Sequence, residues 1–331
     1  MTILEMPPDV MGGENGYQIV LTSQERSGVS SLAGQLEETP PGLVDDPAWL
    51  RQARQLSCHL PVPLLEAVRR YRHEPGAKGI LLIGNLPIDE DALPDTPGVF
   101  GSVETAATVP AAVSVLIGLQ LGEVVAYRAE KHGAMVQNIL PVRGMEASQS
   151  NVGSKPLDFH VENAFHPLRP DYVGLLCLRA DHEKSAETLI SSIRRALPLI
   201  SETDRDILHE PRFVTGAPPS FGIGENATPH AVLDASWEDP NIVLDFQTTS
   251  ALDDEGTHAL DRLRSALSVV AVPVVLLPGQ MAFVDNRIAL HARSLFTPRY
   301  DGNDRWLHRV YVSLDNRRSR WRRPANGSVL I

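Results

Sequence analysis

From about residue 124 the chain breaks into short segments of β type. EVVAYRAE, AMVQNILPV, LDFHVENAF and DYVGLLCLRA follow one another, separated by Gly, Pro and Asn. The texture returns near the C-terminus in VPVVLLPG, QMAFVDN, IALHARS and RWLHRVYVSL. Strands this short need one another to bury a face, so the chain calls for a β core. Helical patterns surround it. In DDPAWLRQARQLSCHL, Asp46 can cap, Pro47 fits the first helical position, and Trp49, Leu50, Ala53 and Leu56 fall at helical spacing. PVPLLEAVRRYRHE and TVPAAVSVLIGLQLG read as further helices, with GILLIG a short buried strand between them. ETLISSIRRALPLI and SETDRDILHE also read as helices, Ser201 and Asp204 making a weak capping box in the second. NIVLDFQ reads as a strand and DDEGTHALDRLRSALSVV as an amphipathic helix. Residues 1–15, rich in Pro and Gly, are expected to be a flexible N-terminus. No repeat or linker divides the rest, so 16–331 is expected to be a single domain. The Gly/Pro-rich loop at 216–229 is of the kind found as a lid.

Composition excludes several functions. With 30 basic residues against 41 acidic, the net charge is −11 and no basic block stands out, so neither nucleic acid nor an anionic membrane is an expected partner. An anionic small molecule would need a few local arginines. Cys58 and Cys177 are too few for a disulfide framework or a thiolate metal cage. The start of the chain has no signal-peptide pattern, and the longest apolar runs are too short and too broken by Gly and Pro to cross a membrane. A cytoplasmic location is expected.

DFHVENAFH, residues 158–166, carries the chemistry. On a strand over 157–163, His160 and Glu162 point to one side and can share an ion. The spacing differs from the helical HExxH pattern of zinc enzymes. A face of two histidines and one carboxylate leaves coordination positions open and suits Fe(II) and O2. His291 in VDNRIALHARS, 131 residues on (291 − 160), is the best candidate for the second histidine. A bare His-x-Glu also arises by chance. His166 reads as a hydrogen-bonded structural residue, and His59, His73, His182, His209, His230 and His258 as surface or capping residues. Arg305, Leu307, Arg309 and Tyr311 share one face of the last long strand. Two arginines turned into a cavity need anions to pair with; the alternative is a solvated edge strand.

HVENAFHPLRPDYVGLLCLRAD, LLPGQMAFVDN and FVDNRIALHARSLFTPRYDGNDRWLHRVYV together resemble the clavaminate synthase-like Fe(II)/2-oxoglutarate oxygenases, and within them the free-amino-acid hydroxylases of asparagine, arginine and lysine. The resemblance runs from about residue 45 to 325. It implies an α+β fold with a double-stranded β-helix, or jelly-roll, core and flanking helices. It implies that His160, Glu162 and His291 hold Fe(II), and that Arg305, with Thr188, grips the distal carboxylate of the co-substrate 2-oxoglutarate. It further implies that Arg309 takes the substrate α-carboxylate. Glu130, Gln137, Ser150 and Asn151 would line the amino-acid pocket, and Asp245 would meet the substrate side chain. Relatives acting on cationic amino acids tend to carry Asp-x-Asp where this chain has Asp245-Phe-Gln247. The expected reaction is hydroxylation of Cβ or Cγ of a free amino acid with a polar, nitrogen-bearing side chain (asparagine, citrulline, glutamine or arginine), releasing succinate and CO2. Glu162 argues against halogenation, which needs the carboxylate position vacant for halide. A non-catalytic jelly-roll sensor of a metal or metabolite is the alternative, and a zinc hydrolase is disfavoured for want of a general base at a recognisable spacing.

Overall fold

Alternation along the long strands assigns each side chain to one of two layers. In the computed structural model, which describes residues 17–218, 221 and 228–331, the strand Tyr172–Arg179 is buried on both faces. Leu176 and Leu178 point into one apolar cluster, and Val173, Leu175 and Cys177 into another. Met281–Asp285 divides in the same way, with Met281 and Phe283 on one side and Ala282 and Val284 on the other. Trp306–Ser313 sends Val310 and Val312 outward and Leu307 and Tyr311 inward. These strands form the middle of a nine-stranded sheet. Gly174 sits at its centre because a Cβ there would meet Phe283 at 2.6 Å and Val310 at 2.9 Å.

A second sheet orders Val272–Val275, Glu187–Ser192, Ala289–Arg293 and Leu157–His160, every pair antiparallel. Ile190 and Ala289 of this sheet join Val173, Leu175 and Cys177 of the larger one in a single cluster, so the two sheets pack face to face. The outer face of the large sheet is covered by the helices Ser23–Glu37, Pro47–Ser57, Val62–His73 and Val109–Leu121. That of the small sheet is covered mainly by Asp254–Val270. The fold is the expected jelly-roll core with flanking helices. Asp46 caps its helix as expected, its carboxylate accepting from Ala48 N at 2.7 Å and Trp49 N at 3.2 Å. No helix among the described residues is long and apolar enough to cross a membrane.

The structure corrects the sequence reading in three places. Residues 187–192 form a strand, not a helix; the helix is confined to Ile193–Ala196, capped by Ser192, and a 3-10 turn over Leu197–Leu199. Pairing with a strand on each side outweighs helical spacing there. The segment read as a strand in NIVLDFQ ends at Ile242, and residues 246–248 form a turn. The strand carrying His160 stops at His160 itself, leaving Glu162 in the turn beyond it. The expected flexible N-terminus, and residues 219, 220 and 222–227 of the expected lid, lie outside the described residues.

Candidate metal centre and active site

His291 and His160 are direct partners across the antiparallel pair Ala289–Arg293 and Leu157–His160. Their rings stand 4.3 Å apart. Glu162 reaches the same point through a turn in which Asn163 adopts φ 53°. What fixes that turn is Asn286, a fully buried residue after the strand Met281–Asp285. Its amide accepts from Glu162 N at 2.7 Å and donates to Glu162 O at 3.1 Å and Pro170 O at 2.9 Å. One ligand atom from each of His160, Glu162 and His291 lies within 4.8 Å of the other two. His160 Nδ1 is 2.9 Å from the Asp158 carbonyl, which only accepts, so Nδ1 carries the proton and Nε2 keeps its lone pair. His291 Nε2 is 3.4 Å from Glu162 Oε1.

The charges suit a cation. Burial pushes the Glu162 carboxyl up, but Arg309, His291 and His160 outweigh it and hold the group well below the usual carboxylate range. Burial and the neighbouring His160 lower the His291 imidazole. A charged carboxylate and a neutral imidazole are the forms that ligate a metal. Two nitrogens and one oxygen on one side of a cavity fit Fe(II) with positions left open.

The cavity beside this triad has a volume of about 830 Å³. Arg305, Thr188 and Arg309 line it, as do Glu130, Ser150, Asn151, Asp245 and Gln247. Arg305 is buried, and among the described residues no carboxylate comes within ion-pairing distance of it. Burial lowers its guanidinium, opposed only by Cys177 and Asp181 at longer range. Thr188, on the strand Glu187–Ser192, is buried and pairs with Arg293. Arg309 Nη1 donates to Glu162 Oε1 at 2.7 Å, and its Nη2 donates to Glu130 and Gln137. Gln137 thus sits behind Arg309 rather than on the cavity wall. Arg309 Nε and Gln137 Nε2 are buried without a partner among the described residues. Tyr311 Oη completes this layer, 3.0 Å from Glu162 Oε2 and 3.1 Å from Glu130 Oε1. Asp245 forms an isolated bridge with His160, so it lies beside the triad. Its carboxylate accepts from Gln247 N at 2.8 Å and Thr248 Oγ1 at 2.9 Å.

Several contributors escaped the sequence reading. Arg293 donates to Ser150 O at 3.0 Å and Lys155 O at 2.9 Å, holding the loop that carries Ser150 and Asn151. Lys131 lines the cavity and donates to Ser102 O and Asn138 O; burial brings its ammonium down to about 7. His166 behaves as expected, accepting from Leu168 N at 3.0 Å, with burial bringing it down to about 4.

The taurine catabolism dioxygenase TauD, TfdA family model matches residues 52–311. L-asparagine oxygenase from Streptomyces coelicolor is 41% identical over 326 residues, 98% of this chain and 98% of that protein. Clavaminate synthase 2 from Streptomyces clavuligerus is 35% identical over 303 residues, 90% of this chain and 92% of that protein. A solved structure of asparagine oxygenase with Fe(II), 2S,3S-3-hydroxyasparagine and succinate superposes with a TM-score of 0.92 at 42% identity, covering 95% of this chain and 99% of the other. With the fold and family thus matched along most of its length, the chain belongs to the taurine catabolism dioxygenase TauD, TfdA family and is a non-heme iron oxygenase that uses 2-oxoglutarate and O2.

Proposed function

We propose that the chain hydroxylates free L-asparagine, with His160, Glu162 and His291 holding Fe(II). The observation that carries the substrate choice is the Asp245-Phe-Gln247 turn, in which a residue with a carboxylate and one with an amide both line the cavity. Each Asp245 oxygen already accepts one bond within its own turn and has a lone pair to spare. A carboxamide supplies N–H groups to Asp245 and a carbonyl to Gln247, whereas a bare cation leaves the amide donor unmatched. The 41% identity to L-asparagine oxygenase supports the same choice. Citrulline, glutamine and arginine carry some of these groups on longer side chains and stand behind asparagine.

Arg305, with Thr188 beside it, takes the distal carboxylate of 2-oxoglutarate as the anion its burial requires. Arg309 offers its unpartnered Nε to the amino-acid carboxylate, and Glu130 receives the ammonium. Bound at the triad, Fe(II) with 2-oxoglutarate and O2 supplies the oxidising power that inserts one oxygen atom into an unactivated C–H bond, with succinate and CO2 released. The chain's own part is to hold the amino acid at both ends so that one C–H faces that centre, and to keep water away. Aerobic incubation with Fe(II), 2-oxoglutarate and each of asparagine, citrulline, glutamine, arginine, lysine and leucine, read by mass spectrometry, tests the reading. Asparagine should gain one oxygen fastest. Preference for lysine or leucine would sink it.

A further inference from the structure

His230 reads from sequence as a surface or capping residue, yet it ends a chain of hydrogen bonds that begins at Asp245. Asp245 N donates to Thr249 Oγ1 at 3.0 Å. Thr249 and Thr215 face one another across an antiparallel pair, their hydroxyl oxygens 2.8 Å apart. Thr215 Oγ1 lies 2.8 Å from His230 Nε2. The direction of every bond follows from one end. His230 Nδ1 is 2.8 Å from the Ala231 carbonyl, which can only accept, so Nδ1 carries the hydrogen of the neutral ring. Nε2 is then an acceptor, and the Thr215 hydroxyl donates to it. The Thr249 hydroxyl donates in turn to Thr215 and is left to accept from Asp245 N. Each hydroxyl donates once and accepts once in this chain.

Both ends are anchored. Phe213 and His230 exchange backbone bonds of 3.1 and 2.8 Å. On the far side, Val161 N donates to Leu244 O at 2.9 Å and Phe246 N to Phe159 O at 3.2 Å, tying Asp245 to the strand of His160. A satisfied chain of side-chain bonds in one fixed direction rigidifies what it joins.

We propose that His230, Thr215 and Thr249 are positioning residues that fix the Asp245 backbone, and with it the carboxylate that selects the substrate side chain. This rests on the reading that Asp245 meets the substrate. The test compares the KM for asparagine and for 2-oxoglutarate in wild type, Asp245→Ala, Thr249→Val, His230→Leu and His230→Gln. Losing one net hydrogen bond corresponds to about a two- to tenfold change. Thr249→Val and His230→Leu should raise the asparagine KM by about that factor, with kcat and the 2-oxoglutarate KM little changed. His230→Gln should restore the wild-type value, because its amide oxygen can accept where Nε2 did. Thr249→Val is nearly isosteric, so it decides the matter if the histidine variants fold poorly. Equal KM values for His230→Leu and His230→Gln, or a 2-oxoglutarate KM that rises in step, would overturn the proposal. If Asp245→Ala raises the asparagine KM and the chain variants do not, only the positioning role fails. If Asp245→Ala changes nothing, the substrate reading fails and takes the proposal with it.

Discussion

Replacing Arg305 by Met should move two quantities in opposite directions. Arg305 is 6% exposed, and no described carboxylate lies within ion-pairing distance. The Phe296 ring lies 5.8 Å from its guanidinium carbon. An unpaired buried charge costs several kcal/mol, and exchanging buried ionic groups for apolar ones of similar volume often stabilises by about 1–4 kcal/mol. Part of that cost is already offset by Asp181 and by the ring face, so a gain of about 1–2 kcal/mol is expected for the ligand-free protein. Its melting temperature should rise. The same substitution removes a charge-assisted pair from a dry pocket, a loss of about 2–5 kcal/mol, or roughly thirtyfold to a few thousandfold in affinity for 2-oxoglutarate. Thermal melting with and without 2-oxoglutarate and Mn(II) reads both effects. Wild type should gain stability with the co-substrate, and Arg305→Met should start higher and gain little. A variant that melts lower without ligand, yet keeps the full 2-oxoglutarate shift, would refute the reasoning.

Three further outcomes follow from the same geometry. Asn286→Ala removes three bonds around Glu162, so it should cost about 2–4 kcal/mol in urea denaturation. The same variant should weaken Mn(II) binding by about 10–100-fold in a calorimetric titration, because the ligand it orients is released. Gln247→Asp places a second carboxylate at the side-chain pocket and should shift kcat/KM from asparagine towards arginine, measured by product mass spectrometry in a mixture of the two.

His160 and His291 are legible in the sequence because both lie in β-type segments, where the side a residue faces is set by alternation. Glu162 is legible as a residue but not as a geometry. Its place depends on Asn286, 124 residues away, and a strand written over 157–163 mistakes a held turn for regular alternation. The strand of Thr188 is obscured for a related reason. Leu189, Ile190, Ile193 and Leu197 fall at helical spacing, and only pairing with Val272–Val275 and Ala289–Arg293 makes the first part extended. Arg305 and Arg309 are legible together because both line one cavity, Arg305 just before the strand Trp306–Ser313 and Arg309 within it, although the pairing shifts register between Trp306 and Leu307. The link from Asp245 to His230 is invisible locally. It exists because an antiparallel pair sets Thr249 opposite Thr215, 34 residues apart.

Crystals grown with Mn(II), 2-oxoglutarate and L-asparagine, with anomalous data collected at the manganese edge, test the central assignment most directly. One strong peak should appear bonded to His160, Glu162 and His291, with the distal carboxylate of 2-oxoglutarate on Arg305 and the carboxamide of asparagine facing Asp245. A second group, His182, Asp301 and Asp304, also has ligand atoms within 4.8 Å of one another. A peak there and none at the triad would contradict it.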